Sequence, residues 1–143
     1  MGVRFQLVID CAEPEPLARF WAAALGYVLE PPPEGFATWD DYYRDLGLPE
    51  SFLGHGTDCI IDPTGSGPRF WFQLVPDVKT VKNRLHLDLT SSAADRDQEI
   101  DRLLALGAQR VDIGQTGAES WTVLADPEGN EFCVVRPKDT LIG

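Results

Sequence analysis

Asn83-Arg84-Leu85-His86-Leu87-Asp88-Leu89-Thr90 decides the fold, because the chain has already written the same pattern once, at Arg4-Phe5-Gln6-Leu7-Val8-Ile9-Asp10. Both runs alternate polar and apolar residues with the period of two that a half-buried strand requires. Each is followed by a helical stretch, which stops at Leu25-Gly26 in the first copy and at Leu106-Gly107 in the second. Each copy also closes on a similar strand, Phe72-Gln73-Leu74-Val75 and Phe132-Cys133-Val134-Val135. Two copies are too few for a solenoid and point to a paired domain. The expected fold is α+β: two paired βαβββ modules forming a curved mixed sheet around a concave cavity, with helices on the outer face. Module one spans 3–76 with an insertion at 31–55, and module two spans 83–137, within a single domain of 1–143.

The 143 residues are 43% hydrophobic, enough for a sizeable core. A formal charge of −11 excludes the basic face on which nucleic-acid and anionic-membrane binding depend, and favours cationic ligands. Cys11, Cys59 and Cys133 are odd in number and lack CxxC spacing, so neither a disulfide framework nor a structural zinc site is expected. The first residues carry no basic segment ahead of an apolar run. No stretch approaches the roughly 20 apolar residues that span a bilayer. A soluble, cytoplasmic protein is expected.

Strand one, 3–11, places Phe5, Leu7 and Ile9 on the core face. Glu13-Pro14-Glu15-Pro16 opens a helix whose stripe is Leu17, Phe20, Trp21, Ala24 and Leu25, with Gly26 as its stop. A short strand follows near Tyr27–Glu30. In the insertion Thr38 caps a short helix bearing Trp39, Tyr43 and Leu46, which Gly47 and Pro49 end. Strands at 56–62 and 69–75 flank a turn at 63–68, and 76–82 links the modules. Module two repeats the core face with Leu85, Leu87 and Leu89, then a helix capped at Asp95 and carrying Ile100, Leu103 and Leu104. Strands at 109–113 and 119–125 lead to the turn Pro127-Glu128-Gly129-Asn130 and the last strand, 131–136.

Counting by two, the faces opposite the core carry Gln6, Val8 and Asp10; Arg69, Trp71 and Gln73; Arg84, His86 and Asp88; and Glu131, Cys133 and Val135. So many polar groups on an enclosed face imply a ligand site, since burying each without a partner costs about 1–3 kcal/mol. The alternative is a solvated sheet face. His86 and Asp88 lie two residues apart, roughly 6–7 Å along a strand, a spacing that usually prevents a direct hydrogen bond. Cys133 has no neighbouring cation in sequence to lower its pKa and reads as a small buried residue. His55 and Asp58 read as loop residues.

The run from Phe5 through Asp10, Leu17-Ala18-Arg19-Phe20-Trp21 and Leu25-Gly26-Tyr27 resembles the start of a glyoxalase-like domain of the vicinal oxygen chelate superfamily. Leu124-Ala125-Asp126-Pro127-Glu128-Gly129-Asn130-Glu131-Phe132 is similar to that superfamily's closing hairpin. Metal-dependent members of the superfamily take four ligands from the first and last strands of each module, usually two His or Gln and two Glu. Those positions fall here on Gln6, Gln73, His86 and Cys133. Both carboxylates are absent, so the resemblance implies no resident cofactor, a divalent metal being the only candidate. It implies a small-molecule ligand held by Gln6, Trp71, Gln73, His86, Cys133, Trp39, Tyr43, Arg84 and Glu131, with Trp121 as a further apolar wall. The alternatives are a metal-independent or atypical-metal lyase or isomerase using His86 as its catalytic acid or base, and an antibiotic-sequestering protein of the bleomycin resistance type. A homodimer is also expected.

The insertion has no counterpart in module two, and Phe36, Trp39, Tyr42, Tyr43 and Phe52 are many aromatics for a solvated connection. It reads either as a lid, with Trp39 or Tyr43 closing on a ligand beside Asp40 or Asp41, or as surface packing.

Overall fold

The computed structural model describes residues 2–90, 96–115 and 121–135. The chain separates into two compact units, one ending at Asp77 and the other beginning at Val78. The boundary falls in the linker between the two sequence repeats. Unit one runs β1 (Leu7–Cys11), α1 (Pro14–Leu25), β2 (Val28–Leu29), α2 (Trp39–Asp45), a single 3₁₀ turn (Glu50–Phe52), β3 (Cys59–Ile61) and β4 (Phe70–Leu74). Unit two runs β5 (Asp88–Thr90), α3 (Arg96–Leu106), β6 (Gln109–Arg110), β7 (Thr122–Ala125) and β8 (Glu131–Val135). The sheets have the same plan, β1-β4-β3-β2 and β5-β8-β7-β6. In each, the first pair is parallel and the others antiparallel. Each unit is thus a βαβββ module with a four-stranded mixed sheet, as the repeat predicts. Among the described residues no helix is long and apolar enough to cross a membrane.

The core of unit one lies between α1 and one face of its sheet. Leu17, Ala18, Phe20, Trp21 and Ala24 are buried from the helix, and Ile60, Phe70 and Phe72 from the strands. Fully burying a side chain of that size contributes roughly 1.5–3 kcal/mol, so this face fixes the module. Pro14 begins the helix, and Gly26 ends it at φ 72°, with its N–H returned to the Ala22 carbonyl. Leu25, expected in the stripe, is only half-buried. In unit two Ile100 and Leu103 of α3 are buried, as are Leu124, Phe132 and Val134, while Leu104 is half-buried. The expected cap, Asp95, and the start of the strand expected at Glu119 lie outside the described residues. Cys11, Cys59 and Cys133 are buried and unbridged.

Two core expectations fail in the same way. Phe5 is 75% and Leu85 88% exposed, because the first strands begin at Leu7 and Asp88, later than the alternation predicts. In a parallel pair a strand lasts only as long as its partner. Leu7 stands opposite Phe70, the first residue of β4, and upstream of that the partner chain is turning through Gly67 and Pro68. Asp88 stands opposite Cys133, yet β8 already begins at Glu131 and the Cys133 N–H still reaches the Leu87 carbonyl at 2.9 Å, so β5 begins later than its partner would allow. Residues 3–6 carry a strand pattern with no strand to join, whereas residues 84–86 carry one that the chain does not use.

Both modules turn into their last strand on Asp-Pro-x-Gly, at Asp62-Pro63-Thr64-Gly65 and Asp126-Pro127-Glu128-Gly129. Asp62 accepts hydrogen bonds from the Thr64 N–H at 2.9 Å, the Thr64 hydroxyl at 2.8 Å and the Gly67 N–H at 2.7 Å. These bonds hold its carboxyl below the usual range, the Thr64 N–H contributing most. Asp126, only 2% exposed, accepts from the N–H groups of Glu128 (2.9 Å) and Asn130 (3.0 Å) and from the Asn130 amide.

Candidate functional site

In unit one the strand register lines up Val8, Trp71 and Cys59 in one row across the sheet, on the face away from α1. The next residue pair brings Arg69 beside Gln6. Arg69 Nη1 donates to Gln6 Oε1 at 2.8 Å, while Nε and Nη2 grip both oxygens of Glu30 at 2.9 and 2.7 Å. Such a two-pronged pair fixes both side chains. Its bonds to Glu30 raise the pKa of Arg69 further. Trp71 Nε1 donates to Asp58 Oδ2 at 3.2 Å, which orients the indole. Burial, reinforced by the Asp58 charge, pushes the Cys59 thiol up to about 12 and so keeps it protonated.

These residues form one wall of a cavity of about 710 Å³, and the insertion forms the other. Gln6, Arg69, Trp71 and Gln73 come from the sheet face; Tyr43, Leu48, Phe52 and His55 come from the insertion. Thr38 caps α2, its hydroxyl accepting from the Asp41 N–H at 3.0 Å, as its position predicts. Tyr43 faces the cavity, and burial, then the Asp58 charge, raises its pKa. Trp39 instead donates its indole N–H to the Glu30 carbonyl at 2.9 Å and packs on Tyr42 and Tyr43. Leu46, expected on the packed face, is 53% exposed. Asp40 is engaged by the Gly54 N–H at 2.9 Å, an internal tie of the insertion.

Unit two has a different face at the same place. Val123, Cys133 and Val135 are buried together with Val111 packed against them, and Ala125 is buried beside them. The polar groups stand at the edge. His86 Nε2 lies 3.4 Å from Asp88 Oδ1, contrary to the strand-based spacing, because His86 precedes β5 and is free of the strand's alternation. The Cys133 thiol joins them: the three donor atoms lie within 4.8 Å of one another. Burial and then Asp88 push that thiol up to about 11, so Cys133 is no ready nucleophile. Glu131 is committed elsewhere, accepting from Lys79 Nζ at 2.8 Å and from the Asn83 N–H at 3.1 Å. Arg84 is exposed, and Trp121 is 43% exposed.

Glu30 and Leu48 shape the unit-one site without having been singled out by the sequence, and Phe52, His55, Asp58 and Cys59 were named there without being placed in a site. His55 and Asp58 sit in a Gly-rich stretch that reads as loop, and only the fold of the insertion turns them inward. The available signal was the density of aromatics in that insertion.

Residues 6–135 match the family model described as a glyoxalase-like domain. No curated protein matches the chain in sequence. Among solved structures, a hypothetical protein of S. aureus is 14% identical with a TM-score of 0.59, the match covering 95% of each chain. A possible glyoxalase from Bacillus cereus is 14% identical with a TM-score of 0.57, covering 94% of this chain and 98% of that one. The fosfomycin resistance protein FosX of Mesorhizobium loti is 10% identical with a TM-score of 0.60, covering 99% and 98%. At these identities the likeness is one of fold.

Proposed function

This chain belongs to the glyoxalase-like domain family, and on that footing we propose that it binds a planar, largely apolar small molecule with a cationic or hydrogen-bonding group in the cavity of unit one. The observation that carries this reading is that sheet and insertion together line that one space. Its volume suits a drug-sized ligand. Trp71, Tyr43 and Phe52 supply flat apolar surface. With Arg69 neutralised by Glu30, Asp58 leaves a negative balance that suits a cation.

The superfamily's metal does not fit the residues at its four positions. In unit one Gln73 stands opposite Asp10, four residues beyond Gln6 and so roughly 13 Å along the strand. Gln6 itself already accepts from a guanidinium, a cation where a divalent ion would sit. A second reading, a lyase or isomerase using His86, is favoured by the acid partner Asp88 at 3.4 Å.

Calorimetric titration with proflavine, a planar aromatic cation, tests the first reading. Saturable binding is expected, weakened at least tenfold by Trp71→Ala and lost when residues 34–53 are replaced by a short Gly-containing turn. Binding of proflavine at unchanged affinity in both variants would defeat it.

A further inference from the structure

Three chemically different donors converge at the edge of the unit-two sheet, and the acid-base reading uses only two of them. A dyad of His86 and Asp88 leaves the thiol of Cys133 without a part. We propose that His86, Asp88 and Cys133 form a mononuclear site for zinc or a metal of similar softness, held by unit two alone. This is a different set from the superfamily's four positions: it takes in Asp88, which is not one of them, and it needs neither Gln6 nor Gln73. The inference does not depend on what the unit-one cavity binds.

The register creates the site. Cys133 stands opposite Asp88 in the parallel pair, so thiol and carboxylate start from one row of the sheet. Cys133 is anchored in place, its N–H donating to the Leu87 carbonyl at 2.9 Å. Val123 and Val135 wall it from behind. His86 lies before the strand, its Nε2 3.4 Å from Asp88 Oδ1. Ligands at about 2.0–2.3 Å from a tetrahedral zinc stand roughly 3.3–3.8 Å apart. The present spread of up to 4.8 Å therefore has to contract by about 1 Å. The half-exposed side chains of His86 and Asp88 can supply that movement while the buried thiol stays fixed.

The donor set selects the metal. A thiolate disfavours magnesium and calcium, and imidazole with carboxylate suits zinc and cobalt(II). On binding, the Cys133 S–H gives its proton to solvent and the sulfur bonds to the metal. Three protein ligands leave a fourth position for water, the arrangement of a reactive site and not of a closed structural one.

The test is titration of the full chain with cobalt(II), read by the near-ultraviolet thiolate-to-cobalt charge-transfer band, and with zinc in competition. One equivalent is expected to bind and to raise the band. Cys133→Ser should abolish the band, and His86→Ala and Asp88→Asn, both at exposed positions and safe for folding, should each weaken affinity at least tenfold. A Gln6→Ala, Gln73→Ala double variant should bind as the parent does. Absence of the band, or its survival in Cys133→Ser, overturns the site. Loss of affinity in the glutamine variant equal to that in His86→Ala overturns it in favour of the family's own set.

Discussion

The last strands of the two modules show how one plan can carry two different sheet faces. In β4, Phe70 and Phe72 are buried while Trp71 and Gln73 are only half so, the alternation of a strand with one face in the core and one at a site. In β8 the four residues from Phe132 to Val135 are all buried, the pattern of a strand covered on both faces. The helix-side faces of both sheets are alike because they carry the stability of each module. The other faces have diverged: Arg69, Glu30 and Gln6 keep unit one's polar and open, whereas Val123, Cys133 and Val135 close unit two's and leave polar groups only at its edge. Register does not separate them: the aspartate of each first strand meets the second residue of the closing run, Asp10 opposite Gln73 and Asp88 opposite Cys133.

If unit two's interior is mainly architecture, its turn should matter more than the matching turn of unit one. Asp126→Ala removes a buried acceptor from the N–H groups of Glu128 and Asn130 and should cost about 2 kcal/mol, since those half-buried donors lose their partner. Asp62→Ala removes a half-exposed acceptor and should cost clearly less. Urea unfolding of both variants decides the matter; equal losses would break the comparison.

The insertion is the other half of the contrast. A methyl group added at Gly56 would lie 2.4 Å from Trp39 Cβ and 2.9 Å from its Cγ. Gly56→Ala should therefore displace α2 at a cost of about 1–3 kcal/mol. Proflavine affinity should fall at least fivefold with it, because Tyr43 moves with the helix. Cobalt(II) binding to unit two should stay as it was, and a parallel loss of both would show that the units are not functionally separate.

What was legible in the sequence follows the same division. Local periodicity announced the two modules, the Gly26 stop and the Thr38 cap, because each depends on neighbours within a few residues. The length of β1 was not legible, since it is set by where a distant partner strand starts, and Phe5 was misplaced for that reason; Leu85 was misplaced because the chain joins β8 only from Leu87 onward. Gln6, Trp71, Gln73 and Tyr43, named from alternation and aromatic density, line the unit-one cavity. Asp58 and His55 escaped, because loop residues carry no period that says which way they point. Asp88 was seen, but its approach to His86 depends on the chain leaving strand geometry at Leu87.

The smallest effect expected concerns the two ion pairs. Arg69 and Glu30 sit at the cavity of unit one, whereas Lys79 and Glu131 tie the start of unit two to its last strand. Burial raises the pKa of Glu131, but Lys79 and the Asn83 N–H outweigh it and hold the carboxyl below its usual 4.5. A carboxyl with a depressed folded-state pKa adds stability that is present above the unfolded value and disappears as pH falls through the folded one. The parent should therefore be more stable than Glu131→Gln at pH 7, and the gap should narrow below about pH 4.5. Comparing the two proteins at each pH removes the parallel contribution of Asp62, whose lowered pKa acts in the same direction. Melting temperatures between pH 3 and pH 7 measure the gap, and a gap that stayed constant would mean that Lys79 and Asn83 do not stabilise the charged form. At pH 7 the variant should bind proflavine as the parent does, because Glu131 is already engaged within unit two. A weakened affinity would instead make Glu131 a ligand-contacting residue.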